Sequence, residues 1–114
     1  MKTNTKSAMA VQLIARYVLN TYGYNYIYEH TFDQITNRKF RSDIFFPVPN
    51  LAVEIEGGIF TNGAHGSITG ILRDIEKQNV YTINKIYLLR FTYEDIKTGN
   101  CFKYLDHFLR EKTK

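Results

Sequence analysis

DIFFPVPNLAVEIE, residues 43–56, sets one acid ahead of an apolar run, two prolines in its middle and two acids at its end. Phe40, Ser42, Ile44 and Phe46 alternate with Arg41, Asp43 and Phe45, the period-two pattern of a strand with one apolar and one mixed face. Pro47 and Pro49 have no N–H to give a ladder, and Asn50 is a frequent turn former, so Pro47–Asn50 is expected to close a hairpin. A second strand returns from Leu51, and placing Phe46 opposite Leu51 places Asp43 opposite Glu54. In the returning strand Val53 and Ile55 point one way, and Ala52, Glu54 and Glu56 the other. Three carboxylates then share one face, where directly opposed like charges, with Cβ atoms about 4.5–5.5 Å apart, destabilise a sheet. A divalent cation reverses that sign, because hard ions such as Mg²⁺ take carboxylate oxygens. The pattern reads as a metal site, and it equally suits an acidic hairpin face open to water.

Outward from the hairpin, the elements alternate in type. Ala10, Leu13, Ile14, Tyr17 and Val18 fall at helical spacing behind a polar opening, residues 1–6, expected to be a flexible tail, and Gly23 is placed to stop the helix. Residues 24–32, rich in tyrosine, read as a strand, followed by a polar loop through Asn37. Beyond Glu56, residues 57–66 form a glycine-rich loop holding His65, which can position a phosphate, transfer a proton or simply face water. From Ser67 the pattern is helical. Ile68, Ile71, Leu72, Ile75 and Ile83 lie on one side, with Asp74, Lys77, Gln78 and Tyr81 clustered away from it, and the wheel sets Gln78 nearer the apolar, buried edge than Lys77. Residues 85–92 read as a buried strand, and Phe102, Leu105, Phe108 and Leu109 as the apolar face of a last helix. The expected class is α/β in the order αβββαβα, with residues 1–114 as a single domain free of repeats and linkers.

Composition narrows the classes. A chain of 114 residues, 44% hydrophobic and 15% aromatic, can build a core without disulfides or a structural metal. The single Cys101 excludes an internal disulfide and cysteine-based zinc sites, suits a reducing compartment and reads as packing. No run is long and apolar enough to span a membrane, and the opening MKTNTKS lacks a secretory apolar segment, so a cytoplasmic protein with no membrane partner is expected. A net charge of +4 mildly favours a polyanionic partner. Basic residues gather at Arg38, Lys39 and Arg41 and at Arg110, Lys112 and Lys114, a pattern that a solvated surface explains as well. Tyr24, Tyr26 and Tyr28 are read as core and sheet surface rather than as a platform for bases.

Four pieces in order, RSDIFFPVPNLAVEIEGG, then Ala64–Gly66 (AHG), then RDIEKQN, then YLLRFT, resemble the PD-(D/E)XK nuclease superfamily, in the branch of small, often phage-encoded endonucleases related to very-short-patch-repair enzymes. The likeness covers about residues 38–96 and implies a restriction-endonuclease-like αβββαβ core, a central mixed sheet flanked by helices, with a C-terminal helix. It implies a Mg²⁺-dependent DNA endonuclease, with Mn²⁺ as a substitute ion, in a bacterial or phage-infected cell. Asp43 matches the first metal-binding acid and Glu54 the second, with the Ile55 carbonyl as a further ligand. The superfamily expects lysine two residues after the second acid, where this chain has Glu56, open to three roles: second-ion ligand, orienting group for water, or base. A basic residue on the following helix would then supply the missing charge, matching Lys77, with Gln78 as its neighbouring alternative. His65 is a secondary candidate for contacting the scissile phosphate. Asp74 is expected to be solvated or paired with Arg73, and Arg90 to make an ion pair or touch DNA. A homodimer is expected for duplex cutting. The departure at Glu56 also admits a catalytically silent, nuclease-like module that binds nucleic acid or a protein partner, such as a phage-encoded inhibitor.

Overall fold

A computed structural model of the chain describes residues 5–32, 40–56 and 68–113. His65 and its glycine-rich loop, Arg38, Lys39, the loop through Asn37 and the first four residues of the expected tail lie outside the described residues, as does Lys114. Helix α1 (Thr5–Tyr22) leads into strands β1 (Ile27–Thr31), β2 (Arg41–Phe46) and β3 (Leu51–Ile55). Helix α2 (Ile68–Ile83), strand β4 (Tyr87–Phe91), a short helix α3 (Tyr93–Thr98) and helix α4 (Asn100–Thr113) complete the order. The strands form one mixed sheet, β1-β2-β3-β4, antiparallel up to β3 and parallel between β3 and β4. The α/β class and αβββαβ core with a C-terminal helix are thus as expected, while α3 is an addition and α1 begins at Thr5, inside the expected tail.

The hairpin takes the expected register: Phe46 pairs with Leu51, Phe45 with Ala52 and Ile44 with Val53. Asn50 closes the turn at φ 57°, in the left-handed region that asparagine tolerates, and its N–H donates to the Pro47 carbonyl at 3.1 Å. Its carbonyl accepts from Tyr87 N–H at 3.0 Å, so the turn also starts the pairing with β4.

Side-chain alternation sorts the sheet into two unequal faces. Ile44, Phe46, Leu51, Val53 and Phe91 meet Val11, Ile14, Ala15 and Val18 of α1 and Cys101, Leu105 and Leu109 of α4. Each fully buried aliphatic side chain there contributes about 1.5–3 kcal/mol, so this layer carries the fold. Cys101 serves as packing, its thiol pushed up to about 11 by burial. The stripe of α1 is turned relative to expectation: Val11 and Ala15 are buried, and Leu13 is exposed. Gly23 stops α1 at φ 78° with its N–H on the Leu19 carbonyl. Tyr17 and Tyr22 donate to Asp106 at 2.5 and 2.6 Å, tying α1 to α4.

The opposite face has a small cluster, Phe32, Phe45, Ala52 and Tyr81 with Ile86 and Leu88, beneath α2. Here the expected inward face of α2 is corrected. Ile68, Ile71, Leu72, Ile75 and Ile83 are exposed, Ile68 at 76% and Leu72 at 59%, while Val80 and Tyr81 are buried. The helix sets its polar side against the sheet because the sheet presents ionised groups there, and these need partners more than the stripe needs cover. Among the described residues no helix is long and apolar enough to cross a membrane.

Candidate active site

A cleft of about 380 Å³ opens between the sheet and α2, lined by Arg41, Asp43, Glu54, Ile55, Glu56, Gly70, Arg73, Asp74, Lys77 and Arg90. It brings together all the sequence-predicted site residues that are described. A larger groove of about 530 Å³ between α1 and α3 is lined by Met9, Ala10, Leu13, Tyr93 and Ile96 among others and has no buried acids.

The floor follows from strand register. Asp43 stands beside Glu54 across the β2–β3 pair, and the Ile55 N–H donates to Asp43 Oδ2 at 2.8 Å. Glu54 pairs in turn with Arg90 on β4. On the other flank, Tyr28 pairs with Ile44 and His30 with Ser42, which sets Glu29 next to Asp43. Glu29 has φ 50°, an uncommon value for glutamate within a strand, and its carboxylate lies 3.5 Å from Arg41.

Glu54 is 4% exposed. A carboxylate so enclosed needs donors on both oxygens, and α2 provides them from one face, four residues apart. Lys77 Nζ donates to Oε1, and Tyr81 Oη donates to Oε2 at 2.6 Å. Burial and the adjacent Glu54 charge hold the Tyr81 hydroxyl far above the usual tyrosine range, so it stays a donor. Gln78, the alternative to Lys77, is exposed. Helical spacing sets Gln78 nearer the isoleucine stripe than Lys77, and that stripe is exposed.

At the mouth, Arg90 Nε donates to Glu56 Oε1 at 2.8 Å, and its two terminal nitrogens donate to the Asp74 oxygens at 2.8 and 3.1 Å. The bonds to Asp74 and then Glu56 raise the guanidinium above its ordinary value. Asp74, expected to be solvated or paired with Arg73, is half-exposed and bonded to Arg90, and Arg90 takes the ion-pair role.

Burial raises both Asp43 and Glu54 above ordinary carboxylate values; the Ile55 N–H partly opposes this at Asp43, and Lys77 at Glu54. Two neighbouring carboxylates under desolvation form a place where added positive charge is favourable. Asp43, Glu54 and the Ile55 carbonyl, all hard oxygen donors, fit a Mg²⁺-like ion. Among the described residues, however, no three His, Cys, Asp or Glu side chains converge as ligands. Glu54 turns to Lys77 and Tyr81, and Glu56 to Arg90, so each is neutralised by a protein cation.

Tyr81, Arg41, Arg73 and Glu29 were not singled out for the site from the sequence. Three of them had a signal: Arg73 lies one turn before Lys77 and Tyr81 one turn beyond it, and Arg41 shares strand parity with Asp43. Glu29 had none, since the β1 register is not set by local pattern. Compared with known proteins, the chain matches no protein-family model, no curated sequence and no solved structure.

Proposed function

We propose that this protein is a metal-dependent DNA endonuclease that hydrolyses phosphodiester bonds, related to the PD-(D/E)XK nucleases. The observation that carries the reading is Lys77 of α2 bonded to Glu54 beside Asp43 in one cleft. This cation stands at the second acid although the chain has Glu56 where the superfamily motif has lysine. Asp43, Glu54 and the Ile55 carbonyl would hold Mg²⁺ or Mn²⁺. When bound, the ion lowers the pKa of water and neutralises charge on the phosphoryl and leaving oxygens. Lys77 then stabilises negative charge developing on the phosphate, an effect worth several kcal/mol in other enzymes. Glu56, fixed by Arg90 at the mouth, orients the attacking water. His65 remains the secondary candidate for contacting the scissile phosphate. The protein would act in the cytoplasm of a bacterial or phage-infected cell.

One observation favours a second reading, a silent nuclease-like module that binds nucleic acid or a protein partner: Glu54 and Glu56 are balanced by Lys77 and Arg90 without a metal. Incubation with plasmid, single-stranded and branched DNA in Mg²⁺, Mn²⁺ or EDTA separates the two. Cutting in either metal and none in EDTA is expected. No cutting of any substrate, together with calorimetric titrations showing no ion bound, would select the silent module.

Duplex cutting calls for two sites, and the proposed homodimer has a surface to form on. The exposed stripe Ile68, Ile71, Leu72, Ile75 and Ile83 presents on the order of 500 Å² of apolar area per copy, so a symmetric pair of α2 helices approaches the ~1,000 Å² of a small specific interface. Ile75→Lys is expected to shift light-scattering mass from dimer to monomer without lowering the melting temperature of the monomer. A wild type that stays monomeric at high concentration and on DNA would remove the dimer.

A further inference from the structure

Four cations among the described residues line the cleft, and the structure separates them by what they already hold. Lys77 is bonded to buried Glu54, and Arg90 spends Nε and both terminal nitrogens on Glu56 and Asp74. Both are already committed to carboxylates of the proposed catalytic centre, Lys77 beside the phosphate being cut, so neither is spare for the phosphates next to it. Arg41 and Arg73 differ. Arg41 is half-exposed and meets Glu29 only at 3.5 Å, the loose geometry of a surface pair worth about 1 kcal/mol or less. Among the described residues Arg73 makes no ion pair, and its guanidinium carbon lies 5.7 Å from the centroid of the Phe40 ring.

These two belong to one edge of the cleft. Phe40 directly precedes Arg41, so Arg73 sits beside the start of β2, and roof and floor bring two guanidinium groups together there. Arg41 is two residues from Asp43 on the same strand face, about 6.5–7 Å along β2, which is close to the reach between neighbouring phosphates along one strand. Guanidinium groups match phosphate oxygens bidentately, and the cation–π contact with Phe40 holds one of them at the start of β2 in advance.

Building on the nuclease reading, we propose that Arg41 and Arg73 form a backbone clamp that grips the phosphates next to the one being cut, reading the sugar–phosphate chain and no base. The clamp makes the β2 edge the side on which the nucleic-acid strand lies, with the Arg90 edge closed by its own carboxylates.

The test is the salt dependence of binding, followed by fluorescence anisotropy of a short fluorescein-labelled duplex and of its single strand in EDTA, where no cutting occurs. Between about 50 and 200 mM salt, each phosphate contact contributes close to one unit to the slope of log affinity against log salt. R41Q and R73Q are each expected to lower the slope by about one unit and to weaken binding several-fold at the low-salt end. The double variant should lose about two units, with melting temperatures as in the wild type. K103Q, on α4 away from the cleft, should leave the slope unchanged. Wild-type slopes in both arginine variants, or an equal loss in K103Q, would overturn the clamp and leave the nuclease reading standing. A wild type with no affinity for either DNA would overturn both.

Discussion

Asp43→Asn is expected to abolish cutting and, at neutral pH, to raise the melting temperature. The activity loss follows from the proposed role: an amide lacks the charge needed at the ion, and losses of a thousandfold or more are ordinary when such a group is removed. The stability gain follows from burial. Asp43 is raised above its ordinary value chiefly by desolvation, with the Ile55 N–H offsetting part of it. A carboxyl with a raised folded pKa binds more protons folded than unfolded, so stability falls as pH rises from the ordinary carboxylate value through the folded one. Below that window the acid is neutral in both states and carries no penalty; above it the whole penalty applies. Asparagine keeps an acceptor for the Ile55 N–H and never ionises. The melting-temperature difference between variant and wild type should therefore be smallest in acid and grow as pH rises from the ordinary carboxylate value through the raised one. Thermal melts across that range in EDTA, beside a cutting assay in Mg²⁺, check both halves. A variant less stable than wild type at pH 7 would show that Asp43 is a structural acid held by its bond to Ile55.

How far the sequence went depends on the distance over which each feature is determined. The hairpin was legible to the residue because Pro47, Pro49 and Asn50 act locally and alternation on both arms fixes which side chains oppose, so Phe46 meets Leu51 as read. Gly23 was legible for the same reason. Helix α3 was missed although Thr92 and Asp95 form a capping box with Glu94 and Asp95 in its first turn, because six residues are too few for a periodicity to show. The orientation of α2 departs from the sequence reading for a physical reason. Periodicity identifies which side chains share a face, but which face turns inward is decided by what waits on the sheet, and a nearly enclosed Glu54 outweighs five aliphatic side chains that water or a second copy can cover. The Arg90 bridge joins β3, α2 and β4, and no local pattern marks such a triple. Asp43, Glu54, Ile55, Glu56 and Lys77 are legible from the hairpin pattern and the resemblance, and they share one cleft; the sequence does not carry that two of the acids are already paired with protein cations.

That pairing makes Lys77 the position of largest combined effect. Lys77→Met keeps the aliphatic stem and deletes the ammonium, leaving Glu54 buried with Tyr81 as its only described donor. Removing one partner of a buried ion pair costs about 3–5 kcal/mol, and since Lys77 retains some contact with water, about 2–4 kcal/mol is expected here. In a domain of this size that lowers the melting temperature by about 10 °C or more. Adding Glu54→Gln to Lys77→Met should recover most of the loss, because a neutral amide still accepts from Tyr81 and no charge is left stranded, a coupling that a double-mutant cycle measures directly. Cutting should fall at least a hundredfold in both single variants and must not return in the double variant, since restored stability brings back neither the acid nor the cation. Gln78→Ala, on the exposed side of α2, should stay within about 0.5 kcal/mol and retain activity. The decisive comparison is thus between neighbours in sequence: loss of cutting in Gln78→Ala with cutting retained in Lys77→Met would move the catalytic cation off Lys77 and require α2 to turn its other face to the cleft during reaction.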